Sequence, residues 1–208
     1  MPKPYQPRDS YFLRAKREGY RARSAYKLLE IQEKFRIVRP NDRILDLGSA
    51  PGSFLQVLQS LSPQSPEIIG IDLQKIEPIP GVATFVCDIF DEKKMAEILA
   101  GRIFDIVTSD LAPKTSGISD IDQARSAELS LCALDIARRY LRSGGSAVFK
   151  VFSGADFASF LRETKAHFQK VSVFKPQASR DRSRECFVVG RNFARAKSAP
   201  AASASYFR

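Results

Sequence analysis

The sequence predicts a single α/β domain built around a mostly parallel sheet, and three observations support this fold class. Short apolar segments with strand character alternate with helical segments through the middle of the chain. The 208 residues are 44% hydrophobic, which suffices for one substantial core. The last two predicted strands are joined by about ten residues, too few for a helical crossover, so this pair is expected to be antiparallel.

Residues 1–40 are predicted to form a basic helical extension that packs on the domain. Between Ser10 and Phe35, apolar and aromatic residues recur at helical spacing among basic residues, with a break near Gly19. Ser24 is expected to cap the second of these two helices. The Pro-Asn-Asp turn at 40–42 then separates the extension from the main domain.

The main domain is predicted to span residues 41–190. Its predicted strands are Arg43–Leu47, Glu67–Ile71, Val82–Val86, Phe104–Thr108, Ser146–Val151, Val171–Phe174 and Glu185–Val189. Its predicted helices are Gly52–Leu61, Glu92–Leu99, Asp122–Leu141 and Ala155–Phe168. A seven-stranded, mostly parallel sheet with a terminal antiparallel hairpin and helices on both faces is the arrangement of the Rossmann-like methyltransferases. Residues 191–208, rich in Ala, Ser and Lys, are predicted to form a disordered tail.

Positive charge is concentrated at the two ends of the chain, whose formal net charge is +10. Residues 1–40 contain 11 Lys or Arg against 4 Asp or Glu, and residues 165–208 contain 10 against 2. The middle of the chain is acidic, with 12 against 17. This distribution favours a phosphate backbone across the outside and a neutral or cationic ligand in the core. The alternative is that both ends are merely solvated.

Several classes of site are disfavoured by composition. The three cysteines, Cys87, Cys132 and Cys186, form no CxxC pair, and His167 is the only histidine. A disulfide framework, a metal site and a His-based triad are therefore not expected. There is no apolar segment of membrane-spanning length and no signal-peptide pattern, so we expect a soluble, cytoplasmic protein.

The segment DLGSAPGSF, which begins at Asp46 after the first strand, predicts a cofactor loop. Gly48 and Gly52 allow the backbone to approach a ligand closely. Their spacing differs from that of a GxGxxG dinucleotide motif, and no P-loop is present. A carboxylate just before the turn suits a cationic ligand such as a sulfonium better than a pyrophosphate. A plain βα turn is the alternative.

Two further strands are followed by Asp at the same edge of the predicted sheet. Asp72 lies where an acidic residue in such folds accepts hydrogen bonds from ribose hydroxyls, and Asp88 is placed to meet an adenine amino group. Each Asp alone is equally consistent with a cap at the end of a strand. Three strand ends that all carry Asp favour a cofactor containing a nucleoside.

A lysine occurs within an otherwise apolar strand. Lys150 is flanked by Val and Phe on both sides, and burying it is costly unless a carboxylate compensates its charge. Asp110 is its expected partner, because it follows the neighbouring strand. A purely structural ion pair is the alternative, although both residues belong to the ligand-binding edge of the sheet.

Five motifs together resemble the RrmJ/FtsJ family of RNA ribose 2′-O-methyltransferases. They are YRARSAYKLLEI from Tyr20, DLGSAPGSF, SDLAPKTSG, FKVFSG and SRECFVVG, in that order. The resemblance spans roughly residues 9–190. It implies that S-adenosylmethionine is the methyl donor and that no metal is required.

The resemblance also implies roles for individual residues. The family's catalytic tetrad corresponds to Lys27, Asp110, Lys150 and Glu185. The cofactor contacts correspond to Gly52, Phe54, Asp72, Asp88 and Asp110, in addition to Asp46 and Gly48 in the loop. Two positions depart from the family pattern. Phe54 stands where Trp is frequent, which is expected to keep an aromatic wall but to lose the indole N–H, and Lys114 stands where Asn is common.

The predicted roles follow from the chemistry of methyl transfer to a hydroxyl. Lys150 is expected to orient and polarise the 2′-oxygen, either as a cation or as the base, and Asp110 to fix Lys150 near the methionine end of the cofactor. Lys27 and Glu185 are expected to hold the ribose. RNA backbone is expected to contact the basic residues near both ends, namely Arg14, Lys16, Arg17, Arg21 and Arg23 beside Tyr11 and Tyr20, and Arg180, Arg182 and Arg184.

The predicted function is methylation of a ribose 2′-hydroxyl, with a uridine of large-subunit (23S-type) ribosomal RNA as the expected target and a monomer as the expected state. A transfer-RNA ribose methyltransferase would share every catalytic residue. An RNA-binding ribosome assembly factor without catalysis is the alternative from another class, against which the complete tetrad argues. A small-molecule methyltransferase would have no use for two basic ends.

Overall fold

The computed structural model describes residues 10–113, 117, 119–154, 156–180 and 183–194. The helices in this part of the chain are α1 Ser10–Arg17, α2 Ser24–Phe35, α3 Ser53–Leu61, α4 Glu92–Leu99, α5 Ser119–Tyr140 and α6 Phe157–His167. The strands are β1 Ile44–Leu47, β2 Ile68–Asp72, β3 Ala83–Val86, β4 Phe104–Ser109, β5 Leu141–Phe152, β6 Phe168–Phe174 and β7 Glu185–Phe193.

All seven strands form one sheet in the order β3-β2-β1-β4-β5-β7-β6. Strands β1 to β5 are parallel to one another, whereas β7 runs antiparallel to both β5 and β6. The predicted fold class and the terminal antiparallel hairpin are therefore confirmed. The strand order reverses at β1 and β4, and ligands of open α/β sheets bind beyond the carboxyl ends of the strands at such a point.

Several element bounds differ from the prediction. Helix α5 begins at Ser119, before the predicted start at Asp122. Strand β5 begins at Leu141, because that residue pairs with β4 ahead of a register irregularity. Strand β7 continues to Phe193, three residues into the segment predicted as a tail. Residues 195–208 of that segment lie outside the described residues.

The N-terminal helices are separated near Gly19 as predicted, but the expected cap is wrong. Arg23 occupies the N-cap position of α2 with helical dihedral angles and makes no side-chain capping hydrogen bond. The Ser24 hydroxyl is instead within 2.7 Å of the Ser53 hydroxyl at the start of α3. Ser24 therefore joins α2 to the helix that follows the first strand.

The core lies in two layers, one on each face of the sheet. Helices α2 and α3 cover one face, through buried residues that include Leu28, Ile31 and Leu58. Helices α4, α5 and α6 cover the other, with Leu99 and Phe160 among the buried residues. Because side chains alternate along a strand, every second residue of each strand faces the α2 layer.

Candidate active site

The four predicted tetrad residues form two buried ion pairs. The Lys150 ammonium lies 3.1 Å from Asp110 Oδ1 and donates a hydrogen bond to the Asp110 carbonyl at 2.6 Å. The Lys27 ammonium lies 2.5 Å from Glu185 Oε1. Lys27 and Lys150 are only 8% and 6% exposed, so both charges depend on these partners.

The alternation of side chains explains why these residues share one face of the sheet. On β5, Val148 packs in the α2 layer and Phe149 in the opposite layer, so Lys150 faces α2. Lys150 pairs with Phe187 on β7, and Glu185 lies two residues from Phe187, on the same face. Helix α2 supplies Lys27 from above, with its ammonium 5.9 Å from the centre of the Phe187 ring.

Glu185 joins the two pairs electrostatically. Burial alone would raise the pKa of its carboxyl, but the charge of Lys27, the hydrogen bond from Lys27 and the charge of Lys150 outweigh burial and lower that pKa. The carboxylate is therefore the stable form at neutral pH. The charges of Lys27 and Lys150 thus both act on the Glu185 carboxylate.

Unsatisfied polar atoms gather at the carboxyl ends of β1 and β4. Asp46 Oδ2 and the Ser109 hydroxyl are buried without a hydrogen-bond partner, and the buried Asp110 Oδ1 has an ion-pair contact with Lys150. The other Asp46 oxygen accepts a hydrogen bond from the Thr108 hydroxyl at 2.6 Å. Buried polar atoms without partners are rare, so this edge has the character of a ligand site.

The charge state of Asp46 reflects the crowding of carboxylates at this edge. Complete burial is the main cause that raises the pKa of Asp46 to about 7, and the nearby charges of Asp110 and Asp72 add to it, while the hydrogen bond from Thr108 opposes it. Three carboxylates close together favour a cation between them. A sulfonium with an adjacent ammonium group fits this set of donors and charges.

The cofactor loop depends on glycine for reasons different from those predicted. Gly48 and Gly52 have φ values of 73° and 108°, which favour glycine. A Cβ at Gly48 would lie 2.9 Å from the Leu111 side chain, and one at Gly52 would lie 2.7 Å from the Arg21 guanidinium. Both glycines thus make room for the protein's own residues, and their contact with a cofactor stays a prediction.

Phe54 does not form an exposed aromatic wall. Its side chain is 2% exposed and stacks on Phe187 with the ring centres 6.4 Å apart. The ring therefore packs beneath the site, next to the strand that carries Glu185. Lys114, the other departure from the family pattern, lies outside the described residues.

Asp72 and Asp88 occupy strand ends and also organise the backbone there. The Asp72 carboxylate accepts hydrogen bonds from the backbone N–H groups of Ala50 and Gln74, and Asp88 accepts one from Phe90. Both carboxylates therefore act as caps at the ends of strands. Each carboxylate oxygen has a second lone pair for a ligand, so the cofactor contacts stay a prediction. Leu73 and Phe90, beside these two acids, are 64% and 39% exposed.

A basic cavity adjoins the Lys27–Glu185 pair. Its volume is about 480 Å³, and its lining residues are Arg23, Lys27, Arg180, Ser183 and Glu185. Burial is the main cause that lowers the pKa of Arg23, and the nearby charge of Arg180 lowers it further. Two guanidinium groups at the mouth of a cavity favour an anionic ligand.

The basic residues of the N-terminal segment do not all face solvent. Arg14 and Arg17 are both exposed, and Arg14 pairs with Glu18 at 2.8 Å. Arg23 donates to the carbonyl of Ala178, and Arg21 donates to backbone carbonyls of the main domain. Part of the predicted RNA surface therefore attaches the start of α2 and the residues before it to loops of the main domain.

Glu30 is a residue of this site that sequence reasoning missed. Its two carboxylate oxygens accept hydrogen bonds from the backbone N–H groups of Gln177 and Ala178, at 2.6 and 2.9 Å. Glu30 thereby fixes the loop that carries Arg180. Its position offered a signal, because residues 23, 27 and 30 share one face of a helix.

The surroundings of the site in the described residues hold no group of three or more His, Cys, Asp or Glu side chains suited to a metal ion. The described helices are also too short or too polar to cross a bilayer.

Comparison with solved structures first defines the class of protein. A chain from Plasmodium falciparum described as a ribosomal RNA methyltransferase superposes with a TM-score of 0.75 at 33% identity, covering 84% of this chain and 98% of its own. A methyltransferase described from Streptococcus mutans, in complex with S-adenosylhomocysteine, shares the fold alone, with a TM-score of 0.50 at 14% identity. The fold is therefore that of a methyltransferase.

Sequence comparison then gives the family. The model of the FtsJ-like methyltransferases matches residues 20–193. Proteins named ribosomal RNA large subunit methyltransferase E are 48% identical in Methanothrix thermoacetophila, over 88% of this chain and 72% of that protein, and 44% identical in Azoarcus sp., over 88% and 90%. The chain belongs to the FtsJ-like methyltransferase family, and the enzyme class predicted from its motifs is confirmed.

Proposed function

We propose that this enzyme transfers the methyl group of S-adenosylmethionine to a ribose 2′-hydroxyl of large-subunit ribosomal RNA, with a uridine as the target. The observation that carries the proposal is the pairing of Lys150 with Asp110 beside Lys27 and Glu185, on one face of the sheet at its ligand-binding edge. The relatives named for large-subunit ribosomal RNA methylation support the choice of substrate.

The cofactor fits the edge formed by β1, β2, β3 and β4. Its sulfonium and amino group would be held by the unsatisfied Oδ2 of Asp46 and by the Asp110 carboxylate, which also pairs with Lys150. Its ribose and adenine would lie by Asp72 and Asp88, with the exposed side chains of Leu73 and Phe90 available as apolar contacts. When bound, S-adenosylmethionine supplies an electrophilic methyl group.

Lys150 is proposed to act as an orienting cation at the 2′-oxygen. Its ammonium donates to the Asp110 carbonyl and lies at ion-pair distance from the carboxylate, which fixes its direction. When the 2′-hydroxyl gives up its proton to water, the remaining N–H can donate to the 2′-oxygen and stabilise its negative charge while the O–CH3 bond forms and the S–CH3 bond of the cofactor breaks. Alignment of that oxygen with the methyl carbon supplies most of the acceleration.

Lys27 and Glu185 are proposed to hold the target nucleotide from the other side. Their pair forms one wall of the basic cavity, whose volume of about 480 Å³ admits a nucleotide. Arg23 and Arg180 are placed to contact its phosphate. We assign residues 1–40, apart from Lys27, to RNA binding and residues 41–190, together with Lys27, to catalysis in a cytoplasmic monomer.

Methyl transfer from labelled S-adenosylmethionine to large ribosomal subunits tests the proposal. Labelling of ribosomal RNA is expected with the wild type and with Lys170→Ala, a control on exposed β6, and loss of at least a hundredfold in rate is expected with Lys150→Ala. Labelling of transfer RNA instead would establish the other substrate. A folded Lys150→Ala variant with near-normal rate would contradict the role of Lys150.

A further inference from the structure

Arg21, in the linker between α1 and α2, makes an unusual set of contacts for a basic residue of an RNA-binding segment. Its guanidinium donates hydrogen bonds to three backbone carbonyls, those of Pro51 at 3.1 Å, Glu77 at 2.7 Å and Pro78 at 2.9 Å. These hydrogen bonds direct the guanidinium at the main domain.

The three carbonyls belong to two segments that border the cofactor edge. Pro51 precedes Gly52 in the cofactor loop, and Glu77 and Pro78 follow Asp72 along the chain. One side chain therefore bridges the loop after β1 to the segment after β2. The cofactor loop is also joined to the end of β2, by hydrogen bonds from the Ala50 N–H to the Asp72 carboxylate at 2.9 Å and from the Gly48 and Ser49 N–H groups to the Ile71 carbonyl at 2.9 and 3.2 Å.

A second link fixes Arg21 itself. Its backbone N–H donates to the Gln56 side-chain carbonyl at 2.9 Å, and the Gln56 amide donates to the Gly19 carbonyl at 2.9 Å. Because Gln56 lies in the first turn of α3, the linker is held directly against the helix that begins at the cofactor loop. The guanidinium thus starts from a fixed backbone position.

Gly52 completes the arrangement. A Cβ at this position would come within 2.7 Å of Arg21 Nη1, and within 3.1 and 3.2 Å of the side chains of Ile79 and Ile76. The space on this side of the loop is filled by Arg21 and by the segment that it binds. The missing side chain of Gly52 therefore serves access for the guanidinium as well as the backbone conformation.

From these contacts we infer that Arg21 is a positioning residue for cofactor binding, which holds the cofactor loop and the segment after Asp72 at the spacing that the cofactor needs. The inference rests on the proposed function only in taking S-adenosylmethionine as the ligand of this edge. It replaces the sequence-based expectation that Arg21 binds RNA backbone. A lysine cannot substitute, because one ammonium cannot reproduce a planar fork directed at three carbonyls.

The test compares Arg21→Lys, Arg21→Ala and a matched control, Arg17→Ala. Arg17 is also basic and lies in the same segment, but its side chain is 79% exposed and its contact with Glu18 is 4.0 Å long. For each variant, the dissociation constant of S-adenosylhomocysteine is measured by calorimetry. The salt dependence of RNA binding is measured in parallel, and hydrogen exchange of the amides of residues 48–56 is followed without cofactor.

Both Arg21 variants are expected to bind S-adenosylhomocysteine at least tenfold more weakly, with faster exchange in residues 48–56 and an RNA salt dependence close to that of the wild type. Arg17→Ala is expected to leave cofactor affinity within twofold and to reduce the slope of log K against log salt by about one. If Arg21→Ala does not fold, Arg21→Lys decides alone, since it keeps the charge and most of the volume.

Two results would overturn the inference. The first is Arg21→Lys with cofactor affinity and loop exchange equal to those of the wild type. The second is Arg21→Ala with unchanged cofactor affinity and the reduced salt slope expected of Arg17→Ala, which would make Arg21 an RNA contact. A wild-type protein that does not bind S-adenosylhomocysteine at all would instead refute the proposed function, and this inference with it.

Discussion

Replacing Asp46 by Asn is expected to remove a large pH dependence from the stability of the cofactor-free protein. Asp46 is completely buried at the end of β1, and burial, together with the charges of Asp110 and Asp72, raises its pKa to about 7 from an ordinary 3.8. Asn has nearly the same shape, and its carbonyl can still accept the hydrogen bond that Thr108 donates.

The sign of the effect follows from the direction of the pKa shift. The folded protein holds the proton on Asp46 more tightly than the unfolded chain does. The contribution of Asp46 to the free energy of unfolding is therefore fully present below pH 3.8 and is lost as pH rises through about 7. Between pH 5 and 7 each pH unit lowers the free energy of unfolding by about 1.4 kcal/mol. The free energy of unfolding of the wild type should therefore fall by about 3 kcal/mol relative to that of Asp46→Asn between pH 5 and pH 8.

Urea unfolding of both proteins at pH 5 and pH 8, without cofactor, measures this difference. His167, the only histidine, is present in both proteins, so its titration cancels in the comparison. A cationic cofactor should favour the ionised carboxylate, so the affinity of the wild type for S-adenosylmethionine should rise with pH through 7 and that of Asp46→Asn should not. Parallel stability profiles for the two proteins would refute the reasoning about the buried carboxylate.

Two further predictions concern the contacts of α2. Glu185→Gln leaves Lys27 buried without its counterion and should lower the free energy of unfolding by about 3 kcal/mol. Lys27→Met combined with Glu185→Leu replaces the pair by apolar side chains, which should restore stability but not methyl transfer. Wild-type activity in this double variant would contradict the role of the pair. Glu30→Gln loses one of two charge-assisted hydrogen bonds to the loop before β7. KM for RNA should therefore rise about tenfold while cofactor affinity stays unchanged, and the exposed Glu33→Gln variant serves as the control. Steady-state kinetics and calorimetry distinguish these outcomes, and an unchanged KM would remove Glu30 from the site.

Much of the fold follows from local pattern. Short apolar segments between helical segments locate the strands, and the short connection between the last two strands gives the antiparallel hairpin. The pairing of Lys150 with Asp110 could also be predicted, because a lysine in an apolar strand needs a carboxylate and adjacent parallel strands end at the same edge.

Other features depend on contacts between residues far apart in sequence. Arg21 and Arg17 look alike in the sequence, yet one is bound to three carbonyls of the main domain and the other is exposed. Phe54 suggested an exposed aromatic wall, and its burial follows from the position of Phe187 across the layer. The start of α2 could not be predicted from Ser24, because tertiary packing directs that hydroxyl to α3.

The contact between Lys27 and Glu185 could not be predicted from hydrophobic periodicity alone. Lys27 lies on a helix at one end of the chain and Glu185 on a strand near the other, and only the insertion of β7 beside β5 brings them together. The antiparallel placement of β7 thus brings Glu185 to Lys27, and this pair lines the cavity.

The central claim, methylation of a ribose 2′-hydroxyl of large-subunit ribosomal RNA, is tested most directly by mass-spectrometric mapping of that RNA from cells with and without the protein. We expect one nucleotide, a uridine, that carries a ribose methyl group only when the protein is present and loses it when Lys150→Ala replaces the wild type. Identical ribose methylation in the two sets of cells, or a difference confined to a base methyl group, would show that the protein is not a ribose methyltransferase of this RNA.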